Sequence, residues 1–257
     1  MNFSGGFARP RFFVSKENIN EEERIISILG EDAFHIARSL RMAVGDDLTV
    51  CDGEGRDYEC KLVKIRDSQV DCQVESSSAC PAEPPYKATV YQALVKGERL
   101  DVAIQKSVEF GASDIVPFES CRCIVRMKGE KEGSKSQRRR RIAAEAAKQC
   151  GRGIIPSVAE PMSFAEMLKE AAKADLAIFC YEKEGERMLG RVLEDMRNEP
   201  PHSVSIVVGP EGGFSPEEAK AAEDAGLSLL GLGKRILRTE SAAAFVLACL
   251  SSEFELR

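Results

Sequence analysis

Residues able to grip a small molecule concentrate in two short segments towards the carboxyl end of the chain. The apolar run Val204–Val208 leads into Gly209-Pro210-Glu211-Gly212-Gly213, where three glycines in five residues let backbone approach a ligand closely. Ser215-Pro216-Glu217-Glu218 then opens a helix, with Ser215 as N-cap, Pro216 in its first turn and Glu218 closing a capping box. The second segment is Leu230-Gly231-Leu232-Gly233-Lys234-Arg235-Ile236-Leu237-Arg238-Thr239-Glu240, two glycines followed by three cations. Each follows a short buried-strand pattern, and in open α/β sheets ligands bind outside the carboxyl ends of the strands. Together they predict one pocket, with close-approach backbone at Val208, Gly209, Gly212, Gly213 and Gly233 and apolar walls from Leu232, Ile236 and Leu237.

Several common chemistries are excluded by spacing. Neither loop is G-x-G-x-x-G, and no G-x-x-x-x-G-K-[ST] or G-x-S-x-G occurs, which disfavours dinucleotide, nucleoside triphosphate and serine-hydrolase sites. The nine cysteines form no C-x-x-C pair, and the two histidines, His35 and His202, are isolated, so no metal is expected. An odd cysteine count without a basic, apolar leader at Met1–Gly6 reads as reduced, packing cysteine in a cytoplasmic protein. No apolar run approaches the roughly 18 residues of a bilayer span.

Charge is segregated. The chain carries −6 overall, yet Arg122 to Arg152 holds eleven Lys/Arg against three Glu, and the first sixteen residues add Arg9, Arg11 and Lys16 without an acid. Concentrated cations on an acidic protein are the footprint of phosphate-backbone binding. Arg138, Arg141, Glu145, Gln149 and Arg152 recur at helical spacing, which predicts one RNA- or partner-facing stripe.

The elements that must position these residues fall into two regions. Residues 11–78 read as mostly β, with alternating runs at Asp47–Ile65 around an Asp52-Gly53-Glu54-Gly55 turn and at Gln69–Val74. One helix is predicted over Glu31–Met42, with Phe34, Ile36, Ala37 and Leu40 as its apolar stripe. Cys80-Pro81-Ala82-Glu83-Pro84-Pro85 is the linker, since its prolines stop regular structure. Beyond it, buried-strand patterns at Ala88–Val95, Asp114–Phe118, Asp175–Cys180, Val204–Val208 and Leu227–Leu230 alternate with helical ones. The helices are predicted at Arg99–Phe110, Gln137–Cys150, Phe164–Lys173, Glu186–Arg197, Pro216–Ala225 and Ser241–Phe254. That alternation argues an α/β layer on a largely parallel sheet. The apolar stretch Ala242–Leu250 requires packing on every side of its helix.

The two glycine segments, read as IVVGPEGGFSPEE and LGLGKRILRTESA, resemble the paired cofactor loops of the SPOUT RNA methyltransferases. With Arg9-Pro10-Arg11-Phe12, His35-x-x-Arg38-x-Leu40-Arg41-Met42, Gln105-Lys106-x-x-Glu109-Phe110-Gly111, Arg122 and Glu145-Ala146-Ala147-Lys148-Gln149-x-x-Arg152, the chain is similar to the ribosomal RNA small subunit methyltransferase E family along nearly its whole length. The resemblance implies an α/β fold class: a PUA-like β-barrel RNA-binding domain at 1–80 and a SPOUT trefoil-knot methyltransferase domain at 86–257. It further implies S-adenosylmethionine in the glycine loops, 16S rRNA of the small ribosomal subunit as substrate, methylation at uridine N3, and a homodimer. The alternatives are another SPOUT enzyme, such as a transfer-RNA ribose 2′-O methyltransferase, or a non-catalytic RNA-binding assembly factor.

Methylation at N3 needs loss of an imide proton, by a carboxylate base or with cations that stabilise the anion. Glu211 and Glu240 are the candidate carboxylates, and Arg9, Arg11 and Arg238 the candidate catalytic cations; the residues alone do not choose the base. Arg38, Arg41, Arg122, Arg138, Arg141 and Arg152 are the expected RNA contacts.

Overall fold

Period-2 patterning in the first third of the chain builds an open sheet that folds round one core. The computed structural model describes residues 9–66, 68–126, 132–182 and 188–256. Within these lie β1 (Arg11–Phe13), β2 (Ile19–Asn20), β3 (Ile25–Leu29), α1 (Gly30–Phe34), β4 (Asp47–Cys51), β5 (Arg56–Ile65) and β6 (Gln69–Ala79). The strands run in the order β1-β4-β5-β6-β3-β2, a half-barrel that is antiparallel except where β1 pairs with β4. Alternate residues point inward: Ile26 and Ile28, Leu48 and Val50, Cys60 and Leu62, Val70 and Cys72 are all buried, with Phe12. At the tight turn between β4 and β5, Gly53 and Gly55 both take positive φ while the Asp52 carboxylate accepts from the backbone N–H groups of Glu54 and Arg56.

The helix predicted over Glu31–Met42 is shorter than its pattern. After α1 the backbone widens into a π-type turn over His35–Ser39, and Arg41 takes a left-handed conformation that stops any continuation. Its buried face is Ala33 and Ile36; Phe34, one residue on from Ala33 and so about 100° round the helix, is exposed, as is Leu40 beyond the π-type turn, although both were expected in the stripe.

The remaining elements are β7 (Lys87–Ala93), α2 (Arg99–Glu109), β8 (Asp114–Glu119), α3 (Glu132–Cys150), β9 (Ser157–Val158), β10 (Met162–Ser163) and α4 (Phe164–Ala171). They continue with β11 (Leu176–Cys180), α5 (Leu189–Asp195), β12 (Ser203–Val208), α6 (Pro216–Asp224), β13 (Ser228–Leu230) and α7 (Thr239–Phe254). Their strands make a wholly parallel sheet, ordered β10-β8-β7-β12-β11-β13 with β9 also on β8. Buried on both faces, these strands lack polar alternation, which is why they read as continuous apolar runs. From the edge strand β13 the chain turns back, and α7 packs on α2, β7 and β12. That helix is not enclosed all round: Ala242, Ala243, Val246, Leu247 and Leu250 are buried, while Ala244, Phe245, Ala248 and Cys249 are half-covered.

Two compact units result, Met1–Glu83 with Ala147–Ile155, and Pro84–Ala146 with Pro156–Arg257. The return of Ala147–Ile155 to the first unit rests on Glu83, whose carboxylate takes the Arg152 guanidinium at 2.7 Å and the backbone N–H groups of Gly153 and Ile154. Residues 1–8, residues 127–131 of the basic block and the first two residues of the predicted Glu186–Arg197 helix lie outside the described residues.

Candidate active site

The sheet order sets where a ligand can enter. The connection from β7 leads to β8 on one side, whereas that from β12 leads towards β13 on the other, so the loops beyond β7 and β12 diverge. At this point a cavity of about 630 Å³ opens, walled by loops after β11 (Cys180, Tyr181, Glu182), β12 (Val208–Phe214) and β13 (Gly231–Thr239). That size suits a small cofactor. The structure brings together every residue expected in the pocket: Val208, Gly209, Gly212, Gly213, Leu232, Gly233, Ile236 and Leu237.

Local chemistry explains how the loops hold their shape. Ser215 and Glu218 form the capping box that starts α6, and the second oxygen of Glu218 accepts from the backbone N–H of Cys121 beyond β8. Phe214 is fully buried, its ring 4.1 Å from that of Phe179, and a side chain at Gly209 would meet that ring. Across the base of the site, Gln92 at the end of β7 donates to the Thr239 hydroxyl, which donates to the Gly209 carbonyl at 2.6 Å. One short chain of hydrogen bonds thus fixes β7, α7 and the first glycine loop.

The glycines differ in what they require. Gly213 has φ +62°, and a Cβ there would lie 2.5 Å from the Glu182 carboxylate. Gly233 has φ +106°, forbidding to most side chains, although the space beside it is open. Gly212 needs neither a left-handed backbone nor empty space, since a Cβ there would make only ordinary contact with Arg122.

Electrostatics separates the two candidate carboxylates. Partial burial of Glu211 opposes its charge, but the backbone N–H groups of Glu211 and Lys96 and the Arg99 guanidinium, 2.6 Å away, outweigh it and hold the carboxyl below its usual range. So held, Glu211 is a weaker base than a free glutamate. Glu240 stands in the first turn of α7 with its side chain 16% exposed and Arg238 as its ion-pair neighbour at 3.9 Å. Arg238 itself is 83% exposed. Burial pushes the Cys180 thiol up to about 12, which makes it a neutral wall rather than a nucleophile.

The expected cations scatter. Arg9 is exposed and pairs with Asp47 and Glu59. Arg11 does not stand free as a catalytic cation: it makes a two-pronged, largely buried ion pair with Asp57 at 2.8 Å and donates to the Arg152 carbonyl. Arg152, expected on the RNA-facing stripe, lies beyond the end of α3 and is 3% exposed against Glu83, so that expectation is corrected. Arg122 is exposed, but its guanidinium grips the Gly212 and Phe214 carbonyls and so braces the cofactor loop. Arg138 reaches Asp101 at 2.7 Å, Arg141 pairs with Glu145 along α3, and Arg38 and Arg41 are exposed in the first unit. Tyr181, Glu182, Arg99 and Thr239 were not singled out as site residues from sequence. Arg99 was recoverable from its place just past a strand end, whereas the others carry no local signal.

The apolar walls, the glycine backbone and the carboxylates of Glu182 and Glu240 match a ligand that combines a flat ring with positive charge. S-adenosylmethionine is such a molecule, and the residues present fit it. Comparison with known proteins gives the same class. The chain matches the RNA methyltransferase domain family over residues 82–251 and the RNA methyltransferase PUA domain family over residues 28–75. Fold and site together define a SPOUT α/β RNA methyltransferase with a PUA-like amino-terminal domain.

Relatives narrow the class. Ribosomal RNA small subunit methyltransferase E of Bacillus subtilis is 33% identical, over 96% of this chain and 97% of its own length. The protein of the same name from Mycobacterium bovis is 32% identical over 86% of this chain and 84% of its own. The crystal structure of a ribosomal RNA small subunit methyltransferase E from Neisseria gonorrhoeae, bound to S-adenosyl methionine, superposes with a TM-score of 0.82 at 28% identity, covering 95% of this chain and 97% of that one. The chain belongs to the ribosomal RNA small subunit methyltransferase E family.

Proposed function

We propose that this protein methylates N3 of a uridine in the 16S rRNA of the small ribosomal subunit, with S-adenosylmethionine as methyl donor. The observation that carries the reading is the cavity of about 630 Å³ formed where the two glycine loops and the β11 loop converge at the divergence of the sheet. Backbone at Gly209, Gly213 and Gly233 would hold the cofactor closely, with Leu232, Ile236 and Leu237 against its adenine and the carboxylates facing its positive charge. Bound there, S-adenosylmethionine supplies an electrophilic methyl group.

The chain's own residues must then make N3 a nucleophile. The imide nitrogen has no free lone pair until its proton leaves, and of the two candidate carboxylates Glu240, with Arg238 no nearer than 3.9 Å, is less committed than Glu211, which Arg99 holds at 2.6 Å. Arg238 supplies positive charge at the mouth. Exposed cations on α3, with Arg38, Arg41 and Arg9, would carry the RNA backbone. The half-covered face of α7 (Ala244, Phe245, Ala248, Cys249) supports a homodimer. Among the described residues no helix is long and apolar enough to cross a membrane, and we place the protein in the cytoplasm with its ribosomal substrate.

The test is to incubate the purified protein with S-adenosylmethionine and 16S rRNA and map the methylated base. An N3 methyl group blocks the Watson–Crick edge and arrests reverse transcription one nucleotide before it. Cofactor binding without any arrest would leave a non-catalytic RNA-binding protein, and a methyl group on ribose would indicate the other SPOUT chemistry.

A further inference from the structure

Beside the cofactor cavity lies a second, of about 360 Å³, beyond the end of β7. Lys96, Gly97, Glu98, Arg99, Val102 and Glu240 line it, and Arg99 and Glu240 also line the larger cavity, so the two meet at a common wall. Val102 presents part of its apolar side chain to solvent on α2, 41% exposed. Arg99 is held in place by Glu211, which also accepts from the backbone N–H of Lys96. Among the described residues no carboxylate reaches the Lys96 ammonium.

We propose that this second cavity is the subsite for the target base, a uracil swung out of single-stranded RNA, with Lys96 and Arg99 as its recognising donors. The inference rests on the methylation reading above. The imide edge of uracil presents a carbonyl oxygen, an N–H and a second carbonyl oxygen in a row. Two cationic donors and one carboxylate acceptor, Glu240, are the complement of that row, and Val102 offers an apolar surface to the ring face. Cytosine presents an unprotonated N3 and an amino group on the same edge; it would set acceptor against acceptor and donor against donor, each a desolvated mismatch. Glu211 then acts as a positioning residue: its carboxylate holds Arg99 at the wall between donor and acceptor of the methyl group. Bases acted on by such enzymes must leave the stack to be reached, and an open, shallow subsite next to the cofactor receives one in that state.

Three measurements test this with the full-length protein. Val102→Trp fills the cavity from an exposed position, and Lys96→Ala and Arg99→Ala each remove a donor. Each should lower kcat/KM for 16S rRNA about tenfold to hundredfold, the range of one lost charge-assisted hydrogen bond or a blocked contact. S-adenosylmethionine affinity of Val102→Trp and Lys96→Ala, by calorimetry, should stay within about threefold of wild type. RNA carrying cytidine at the target position should be rejected by wild type and lose that disadvantage in part with Arg99→Ala. If wild type methylates N3 while Val102→Trp and Lys96→Ala do so equally well, the subsite is wrong and the methylation reading stands. Loss of cofactor binding in folded Val102→Trp and Lys96→Ala would also overturn it, by assigning the cavity to the cofactor. Failure of the wild type to methylate N3 at all would instead refute the function on which the inference rests.

Discussion

At the scale of single residues, three of the glycines lining the pocket, Gly212, Gly213 and Gly233, separate by what their backbones demand. Gly213→Ala and Gly233→Ala each force a Cβ onto a left-handed backbone, at about 1–2 kcal/mol, and at Gly213 the Cβ also strikes Glu182. Both should weaken S-adenosylmethionine binding by about tenfold or more in calorimetry, while Gly212→Ala, which has room and an ordinary backbone, should bind within about threefold. Equal losses at all three would show that loop flexibility, rather than backbone conformation, sets affinity. The carboxylates divide similarly. Glu240→Gln keeps shape but cannot accept the imide proton, and general-base loss typically lowers kcat about 10²–10⁴-fold. Cofactor affinity should move far less, so a fall in affinity equal to the fall in kcat would refute the role. Sequence alone exposed both glutamates and all the glycines, because each sits in a run whose spacing is local. It could not rank them: the bond from Arg99 to Glu211 and the collision of Glu182 with Gly213 join residues far apart in the chain.

Elements repeat this division. The long helices and buried strands of the parallel sheet were legible as patterns in the sequence, the Ser215 capping box being the clearest boundary, but α3 starts at Glu132, five residues before the predicted Gln137. The two-residue strands β9 and β10 were not, since pairing along β8 rather than any periodicity creates them. Nor were the ties between elements. Arg122, predicted as an RNA contact, instead joins the β8 loop to the glycine loop. Arg122→Ala should therefore weaken cofactor binding several-fold, with partial rescue by Arg122→Lys, since lysine offers donors without the fork. Unchanged cofactor affinity would return Arg122 to the RNA. The Arg11–Asp57 pair joins β1 to β5, and breaking so enclosed a pair by Asp57→Asn should cost about 3 kcal/mol or more in denaturant unfolding. Burial raises the Asp57 carboxyl, but hydrogen bonds from Arg11, then from Cys51 and Cys80, more than reverse this and leave it below the usual aspartate value. The stability so gained is fully present above the unfolded-state value and is lost as pH falls through the lower folded one. Acid unfolding of the wild type should accordingly show a fall at low pH that Asp57→Asn lacks.

For the whole molecule, the segregation of charge makes a prediction that no single contact does. Exposed cations on α3, with those of the first unit, should make RNA affinity fall by about 0.7–0.9 log units per log unit of salt for each phosphate neutralised. Replacing Arg138 and Arg141 by Ala should flatten that slope, with little change in cofactor affinity; an unaltered slope would remove α3 from the interface. The half-covered face of α7 predicts a solution mass near twice the 28.2 kDa of one chain in light scattering. The first unit, finally, is not a continuous stretch of sequence: Glu83 waits for Arg152, Gly153 and Ile154 to complete its hydrogen bonds. A ribosome making this chain releases Glu83 long before its partners, and at roughly 5–20 residues per second the amino-terminal half-barrel spends several seconds unfinished. During that interval the first unit has its linker glutamate exposed and its Arg152 partner unmade. The protein proposed to modify ribosomes is thus itself one whose amino-terminal part cannot be sealed until well over half of the chain has been translated.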